Sequence, residues 1–228
     1  MRRFSPHLEI LPPAQRRLWH ELDQVPAEFT LYGGTAIALH LGHRQSVDFD
    51  FFGKRAFDPT NIQSSIPFLA NARVIQREKN TLTAILDREG QVAVSFFGVP
   101  HLPRLLSPHV SDDNGLKIAS LLDLAGTKAS VVQVRPERKD YLDLDVLITK
   151  GEITLPMALT AAQALYGASF NPQITLKALS YFEDGNLRQL PEDAKARLAT
   201  AAREVDLDHL PSLDHLIRER AQEQDLGL

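Results

Sequence analysis

Apolar and polar positions alternate in short runs over the first half of the chain and recur at helical spacing over the second, with the change near residue 120. The runs FTLY (29–32), VDFDFF (47–52), NARVIQRE (71–78), TLTAILD (81–87) and VAVSFFG (92–98) have the length and β-branched or aromatic content of strands. Asp87-Arg88-Glu89-Gly90 supplies a turn between the last two, so the final three read as an antiparallel meander. Two helices interleave with these strands. PAQRRLWHELDQ (13–24) opens on a proline suited to a first helical turn and carries Leu18 and Leu22 four apart, and TAIALHL (35–41) is short and apolar. From Ser120 onward, SLLDLAGTKASVVQV, KDYLDLDVLITKG, LPMALTAAQALYG and PQITLKALSYFEDG each have helical spacing and each is bounded by Pro or Gly. Ser120 with Asp123 three residues on forms a capping-box pattern. No repeat or low-complexity stretch interrupts this order. The pattern predicts a mixed α/β (α+β) sheet domain over residues 1–118 and a helical region over 119–228.

Composition narrows the chemistry. Apolar residues make up 43% and charged ones 24%, as in an ordinary globular protein long enough to bury a sizeable core. The absence of cysteine excludes disulfides, thiolate zinc sites and a cysteine nucleophile. MRRFSPHLEILPPAQRR lacks the apolar run of a signal peptide, and no later stretch approaches the roughly 20 apolar residues of a membrane span, so a cytoplasmic location is expected. With a formal charge of −4, attraction to nucleic acid requires a local basic patch. Arg73, Arg77, Arg135 and Arg138, with Lys79 and Lys139, are candidates for one if they cluster; solvated surface charge is the ordinary alternative.

The strand at 47–52 poses the chemical question. Side chains alternate between faces, so Asp48 and Asp50 share one and Phe49 and Phe51 the other, with the two acids about 6.6 Å apart at Cα. Carboxylates so placed converge on a divalent cation, although a bare Asp-x-Asp is also met on strands with one face in water. Gly33-Gly34 sharpens the choice. It lies between a predicted strand and a predicted helix, where helix N-terminal amides attract anions and missing side chains admit a phosphate. A phosphate cradle beside a metal clamp is more specific than either part.

A second constellation comes from periodicity. Leu121, Leu124, Ala125, Lys128 and Val132 fall on one helical stripe, which puts Lys128 where an apolar residue belongs. A lysine there either snorkels at the stripe's edge or is buried and paired. Asp140 and Asp143, i and i+3 on the next helix, are candidate partners. His40 and His43 are also i and i+3, but nothing in the local sequence completes a zinc site around them.

Together, GGTAIALHLGHRQSVDFDFF, the DLAGTK helix and the RKDYLDL helix resemble the AbiEii/AbiGii toxin family of the polymerase-beta-like nucleotidyltransferase superfamily. LKALSYFEDG extends the likeness, which covers most of residues 30–190; the last forty residues match nothing in it. The resemblance implies Mg²⁺ held by Asp48 and Asp50, and a triphosphate cradled by Gly33, Gly34 and Thr35. Arg44 and Ser46 are implied as further phosphate contacts. Lys128 would be the functional lysine, Asp140 its acidic neighbour, and Asp143 either its orienting group or a base. It further implies an NTP substrate, a cellular acceptor that is foremost tRNA or another RNA, and a cognate antitoxin. One position departs from the superfamily: where a third metal-binding carboxylate commonly stands, VAVSFFG offers Ser95. A nucleotide-binding module without turnover, and NMP transfer to a protein or small molecule, therefore stand as alternatives.

Overall fold

The computed structural model describes residues 2–226, with side chains described through 219. Contacts divide the chain into two compact units, Met1–Pro103 with Ser107–Ala119, and Arg104–Leu106 with Ser120–Leu228.

The first unit is built on a mixed sheet in which the described strands run β1-β7-β8-β2-β3-β6-β5-β4. The strands are β1 (Arg3–Phe4), β2 (Phe29–Tyr32), β3 (Asp48–Gly53), β4 (Arg73–Glu78), β5 (Thr81–Asp87), β6 (Gln91–Gly98), β7 (His109–Ser111) and β8 (Lys117–Ile118). β4, β5 and β6 form the antiparallel meander that their alternation and the turn at 88–90 predict. β6 then pairs in parallel with β3, and β3 antiparallel with β2, so the acid-bearing strand is central rather than at an edge. β4 is the outer strand on that side. Its exposed Arg73, Arg77 and Glu78 keep its free edge charged. β1, β7 and β8, of two or three residues each, extend the sheet beyond β2 and are too short to show a period.

Three helices belong to this unit: α1 (Pro13–Trp19), α2 (Gly33–Leu41) and α3 (Pro59–Ser65). α1 is shorter than its spacing suggests and gives way to a 3₁₀ turn at Leu22–Gln24. α3 has a polar composition without a stripe. It is started by Asp58, whose side chain accepts from the Thr60 and Asn61 amides, and by Pro59 at the first position. The core lies on the Phe49/Phe51 face of β3. There Phe51 stacks on Phe96 at 5.1 Å and Phe29 meets Phe96 edge-on at the same separation. Burial of each such ring contributes roughly 1.5–3 kcal/mol.

His40, on α2, is a packing group. Its ring stacks on Phe4 at 4.4 Å and meets His109 edge-on at 5.1 Å, while Nε2, 3.0 Å from the Ala119 carbonyl, is the protonated nitrogen that donates to it. Burial first, and the neighbouring His109 second, lower its pKa to about 3. Because the folded value lies below that of the unfolded chain, the neutral ring adds stability above pH about 6.5 that is lost as pH falls toward 3, at about 1.4 kcal/mol per pH unit. Denaturant midpoints at pH 7 and pH 5 should therefore differ more for the native chain than for His40→Gln. His109, also lowered by burial, leaves the variant a residual slope.

The second unit is helical: α4 (Leu121–Val131), α5 (Arg138–Thr149), α6 (Leu155–Tyr166), α7 (Pro172–Ala178), α8 (Glu192–Glu204) and α9 (Leu213–Leu226). Ser120 caps α4 by accepting from the Asp123 amide. The Asp123 carboxylate takes the Ser120 hydroxyl and the amides of Leu105 and Leu106. α7 stops earlier than the spacing of 172–185 suggests. The Ser180 hydroxyl bonds the Leu176 carbonyl, and Gly185, at φ +52°, packs so closely on the Pro136 carbonyl oxygen that a Cβ there would clash with it. In the last forty residues, α8 buries Ala194, Leu198 and Ala202, spaced four apart.

Candidate active site

On β3 the alternation places the two acids as expected. Asp48 is exposed and Asp50 partly so, while Phe49 and Phe51 are buried on the opposite face. β2 ends at Tyr32, the residue paired with Asp50, and α2 starts at once with Gly33. Gly33 has φ +74°, and a Cβ on it would lie 2.9 Å from Asp50 Oδ2. Two independent constraints thus select glycine: a left-handed backbone and a carboxylate in the space of the missing side chain. The Asp50 oxygen sits beside the free amides and positive dipole end of α2, the local field that attracts phosphate. Gly34 is, like Gly33, partly exposed. Gly33→Ala should strain the turn by about 1–2 kcal/mol and push Asp50 aside. The melting temperature should drop by only a few degrees.

The acid strand is fixed in place from three sides. The Ser46 amide donates to the Ile10 carbonyl at 3.4 Å. Gln15 Nε2, on α1, donates to the carbonyls of Val47 at 3.1 Å and Gln91 at 3.5 Å, joining the starts of β3 and β6. The Thr35 hydroxyl bonds the Asp48 carbonyl and lies 2.7 Å from the Ser46 hydroxyl; one proton cannot serve both contacts, so Ser46 supplies the other. Thr35 and Ser46 are both buried and both brace this strand. Arg44 donates to the Gln45 carbonyl at 2.9 Å.

Ser95 stands beside Asp50 in the register of β3 and β6. It is buried, and its hydroxyl accepts from Thr83 at 3.3 Å. Among the described residues no three His, Asp or Glu side chains are grouped as metal ligands. Two carboxylates on one accessible face nevertheless match the hard oxygen donors that Mg²⁺ accepts, since that ion is usually held by one or two carboxylates with substrate phosphates and water.

In the second unit Lys128 is buried at 6% exposure and Asp140 and Asp143 at 0%. Lys128 Nζ lies 2.7 Å from Asp140 Oδ1 and 2.7 Å from Asp143 Oδ2. Arg135 adds a two-pronged contact to Asp140, Nε to Oδ2 at 2.9 Å and Nη2 to Oδ1 at 3.0 Å. Two buried negative charges are thus matched by two positive ones, the arrangement that low-dielectric burial requires. Of the two readings of Lys128, the structure has the buried pair. Asp143, with no solvent-accessible surface, is placed to orient Lys128.

Residues 16–219 match the family model of the nucleotidyl transferase AbiEii toxin of type IV toxin–antitoxin systems. The chain belongs to the AbiEii family of nucleotidyltransferases. An uncharacterized protein of Aquifex aeolicus (strain VF5) is 35% identical over 159 residues, spanning 69% of this chain and 75% of that protein. Among solved structures, MenT4, a nucleotidyltransferase toxin of Mycobacterium tuberculosis H37Rv, superposes with a TM-score of 0.61 at 13% identity, covering 92% of this chain and 89% of its own. The crystal structure of a putative nucleotidyltransferase from H. pylori gives 0.52 at 17%, covering 95% of both chains. At these identities the structural likeness is one of fold.

Two residues that hold these clusters together, one in each unit, are not singled out for that part by the sequence. Gln15, at 4% exposure, lies on the buried stripe of α1 with Ala14, Leu18 and Trp19. A polar residue inside an apolar stripe is the same signal that marks Lys128. Arg135, considered only for a nucleic-acid patch, is instead the second cation on Asp140. The six cations of that patch fall three to each unit. Arg77 is held by Thr60 and Gln63, and Lys139 pairs with Glu137 at 3.3 Å.

Proposed function

We propose that this AbiEii-family enzyme moves an NMP from an NTP onto an RNA acceptor, with tRNA foremost, and that Asp48 and Asp50 are the residues around which the reaction occurs. The observation that carries this reading is the meeting of Asp50 with Gly33 at the start of α2. In the reaction an acceptor oxygen forms a bond to the α-phosphorus, the α–β anhydride bond breaks, pyrophosphate leaves and the hydroxyl proton passes to water. The protein's contribution is positioning and charge stabilisation. Mg²⁺, held by Asp48 and Asp50, would supply charge neutralisation on the phosphate oxygens.

The amides at Gly33 and Gly34 receive phosphate oxygens, and Thr35 and Ser46 keep Asp48 and its strand in register. Arg44 adds positive charge in the loop before the acids. Within the second unit, Lys128, oriented by Asp140 and Asp143, is the lysine to which a functional role is assigned. As the toxin of a type IV pair, the protein would be expressed with a cognate antitoxin and act in the cytoplasm. No helix among the described residues is long and apolar enough to cross a membrane.

The test is incubation with total RNA, Mg²⁺ and NTPs labelled at either the α- or the γ-phosphate. A discrete RNA that keeps the α-label and lacks the γ-label supports the reading. Label on protein alone moves the acceptor to another class. Ser95 in place of a third acid favours one competing reading, a module that binds nucleotide without turnover. That reading gives thermal stabilisation by NTP and Mg²⁺ with no labelled product.

A further inference from the structure

The face of the sheet that carries Asp48 and Asp50 carries two aromatic rings for which the transfer step has no use. Phe52 is the next residue of β3 on that face, about 6.6 Å beyond Asp50, and Phe97 is its registered neighbour on β6. Phe49, Phe51 and Phe96, on the opposite face, are wholly buried, whereas Phe52 and Phe97 are partly exposed. Phe52 stacks on Tyr32 with centroids 4.8 Å apart and planes at 14°, and meets Phe97 edge-on at 5.5 Å. The three rings form a fixed platform beginning one step from the acid pair. Rings held in this way stack on a nucleobase without a further ordering cost.

What lies past the platform indicates which base it takes. β3 ends at Gly53 and runs into Lys54 and Arg55, both exposed. The turn between β4 and β5 brings Lys79 and Asn80 to the same end of the sheet. There Gly98 donates its amide to the Asn80 carbonyl at 2.8 Å, and a Cβ on Gly98 would lie 2.8 Å from the Arg55 carbonyl oxygen and 3.1 Å from Asn80. Lys54, Arg55 and Lys79 make no ion pair among the described residues. A free NTP directs all its phosphates toward the acids and leaves these three cations unmatched. A polynucleotide whose end reaches the acids has backbone phosphates on the far side of its terminal bases, where the cations are.

We propose that Phe52, Phe97, Lys54, Arg55 and Lys79 form a track for a single-stranded polynucleotide end, with a base stacked on the Phe52 platform and the backbone phosphates on the three cations. A chain of net charge −4 needs such a local track to bind an anionic polymer at all. The assignment rests on the reading of Asp48 and Asp50 as the reacting pair, and deepens it by placing the acceptor.

The experiment uses the full chain and a short fluorescein-labelled single-stranded oligoribonucleotide of mixed sequence, followed by fluorescence anisotropy across a salt series, with thermal stabilisation by ATP or GTP and Mg²⁺ measured alongside. Combined Lys54→Glu, Arg55→Glu and Lys79→Glu should weaken oligonucleotide binding at least about ten-fold. It should also lower the slope of log affinity against log salt by about 2, at about 0.7 for each phosphate that no longer meets a cation. Phe52→Leu keeps the apolar contact with Tyr32 and should weaken binding about ten-fold with the salt slope unchanged, because a stacked base carries no counterion. Neither variant should change the NTP-induced stabilisation. An oligonucleotide that does not bind the native chain, or that binds all variants equally, overturns the proposal. So does Phe52→Leu if it removes the NTP response and spares the oligonucleotide, since the platform then holds the NTP's own base. None of these readings requires turnover, so a chain that labels RNA but ignores the oligonucleotide refutes the track while leaving the transfer activity in place.

Discussion

Lys128→Met should lower the stability of the folded chain by about 3–5 kcal/mol, the cost of removing one partner from a buried ionic cluster. The side chain is 7% exposed and its ammonium is shared by two carboxylates with no exposure at all. Its loss leaves Asp140 with Arg135, a side chain 45% exposed, and removes from Asp143 a cation 2.7 Å away. Urea midpoints and slopes measure the effect. A triple change of Lys128→Met with Asp140→Asn and Asp143→Asn should recover a substantial part of the loss, because the penalty lies in uncompensated buried charge rather than in missing attraction. Arg197→Met is the control. Arg197 also grips a carboxylate with two prongs, at 2.8 and 2.6 Å from Asp145, but it is 43% exposed and its removal opens Asp145, 10% exposed, to water, so the loss should be smaller than for Lys128, about 1–2 kcal/mol. Equal losses for Lys128 and Arg197 would mean that the Lys128 cluster is screened by solvent.

Where the sequence is informative, a local period meets a strong physical preference. Two acids and two phenylalanines alternating on six residues can satisfy a sheet in one way only, and the strand at 48–53 obeys it. Lys128 is legible because a charge occupies an apolar stripe, and Ser120 because a hydroxyl precedes a helical run. The identity of Gly33 is visible, but not its cause: the Asp50 carboxylate fills the space a side chain would need, and the two are brought together by pairing between β2 and β3. β1, β7 and β8 have no period to read. Thr35 and Ser46 are phosphate-contact candidates by their place in the motif. The bond of Thr35 to the Asp48 carbonyl and its contact with Ser46 depend on how α2 packs against β3, which no spacing encodes. Gln15 reaches Val47 across a long stretch of chain, and Arg135 reaches Asp140 over the break between two helices. Neither pair stands at a helical or strand interval.

Asp48 carries the heaviest part of the functional reading and very little of the fold. Its side chain is exposed, and its tie to α2 runs through its backbone carbonyl, which accepts from Thr35. Asp48→Asn keeps the shape and removes the charge, so stability should stay within about 0.5 kcal/mol. On the proposed reading its carboxylate holds a cation against a triphosphate, and a neutral amide does not replace it. Loss of one such electrostatic group costs on the order of a hundred- to a thousand-fold in rate. Because stability and activity should separate at this residue, a loss of transfer cannot be charged to unfolding. The decisive measurement is therefore transfer from an α-labelled NTP to RNA by native and Asp48→Asn proteins with matched melting temperatures. A loss of at least about a hundred-fold is the predicted result, and transfer by Asp48→Asn at the native rate would contradict the account.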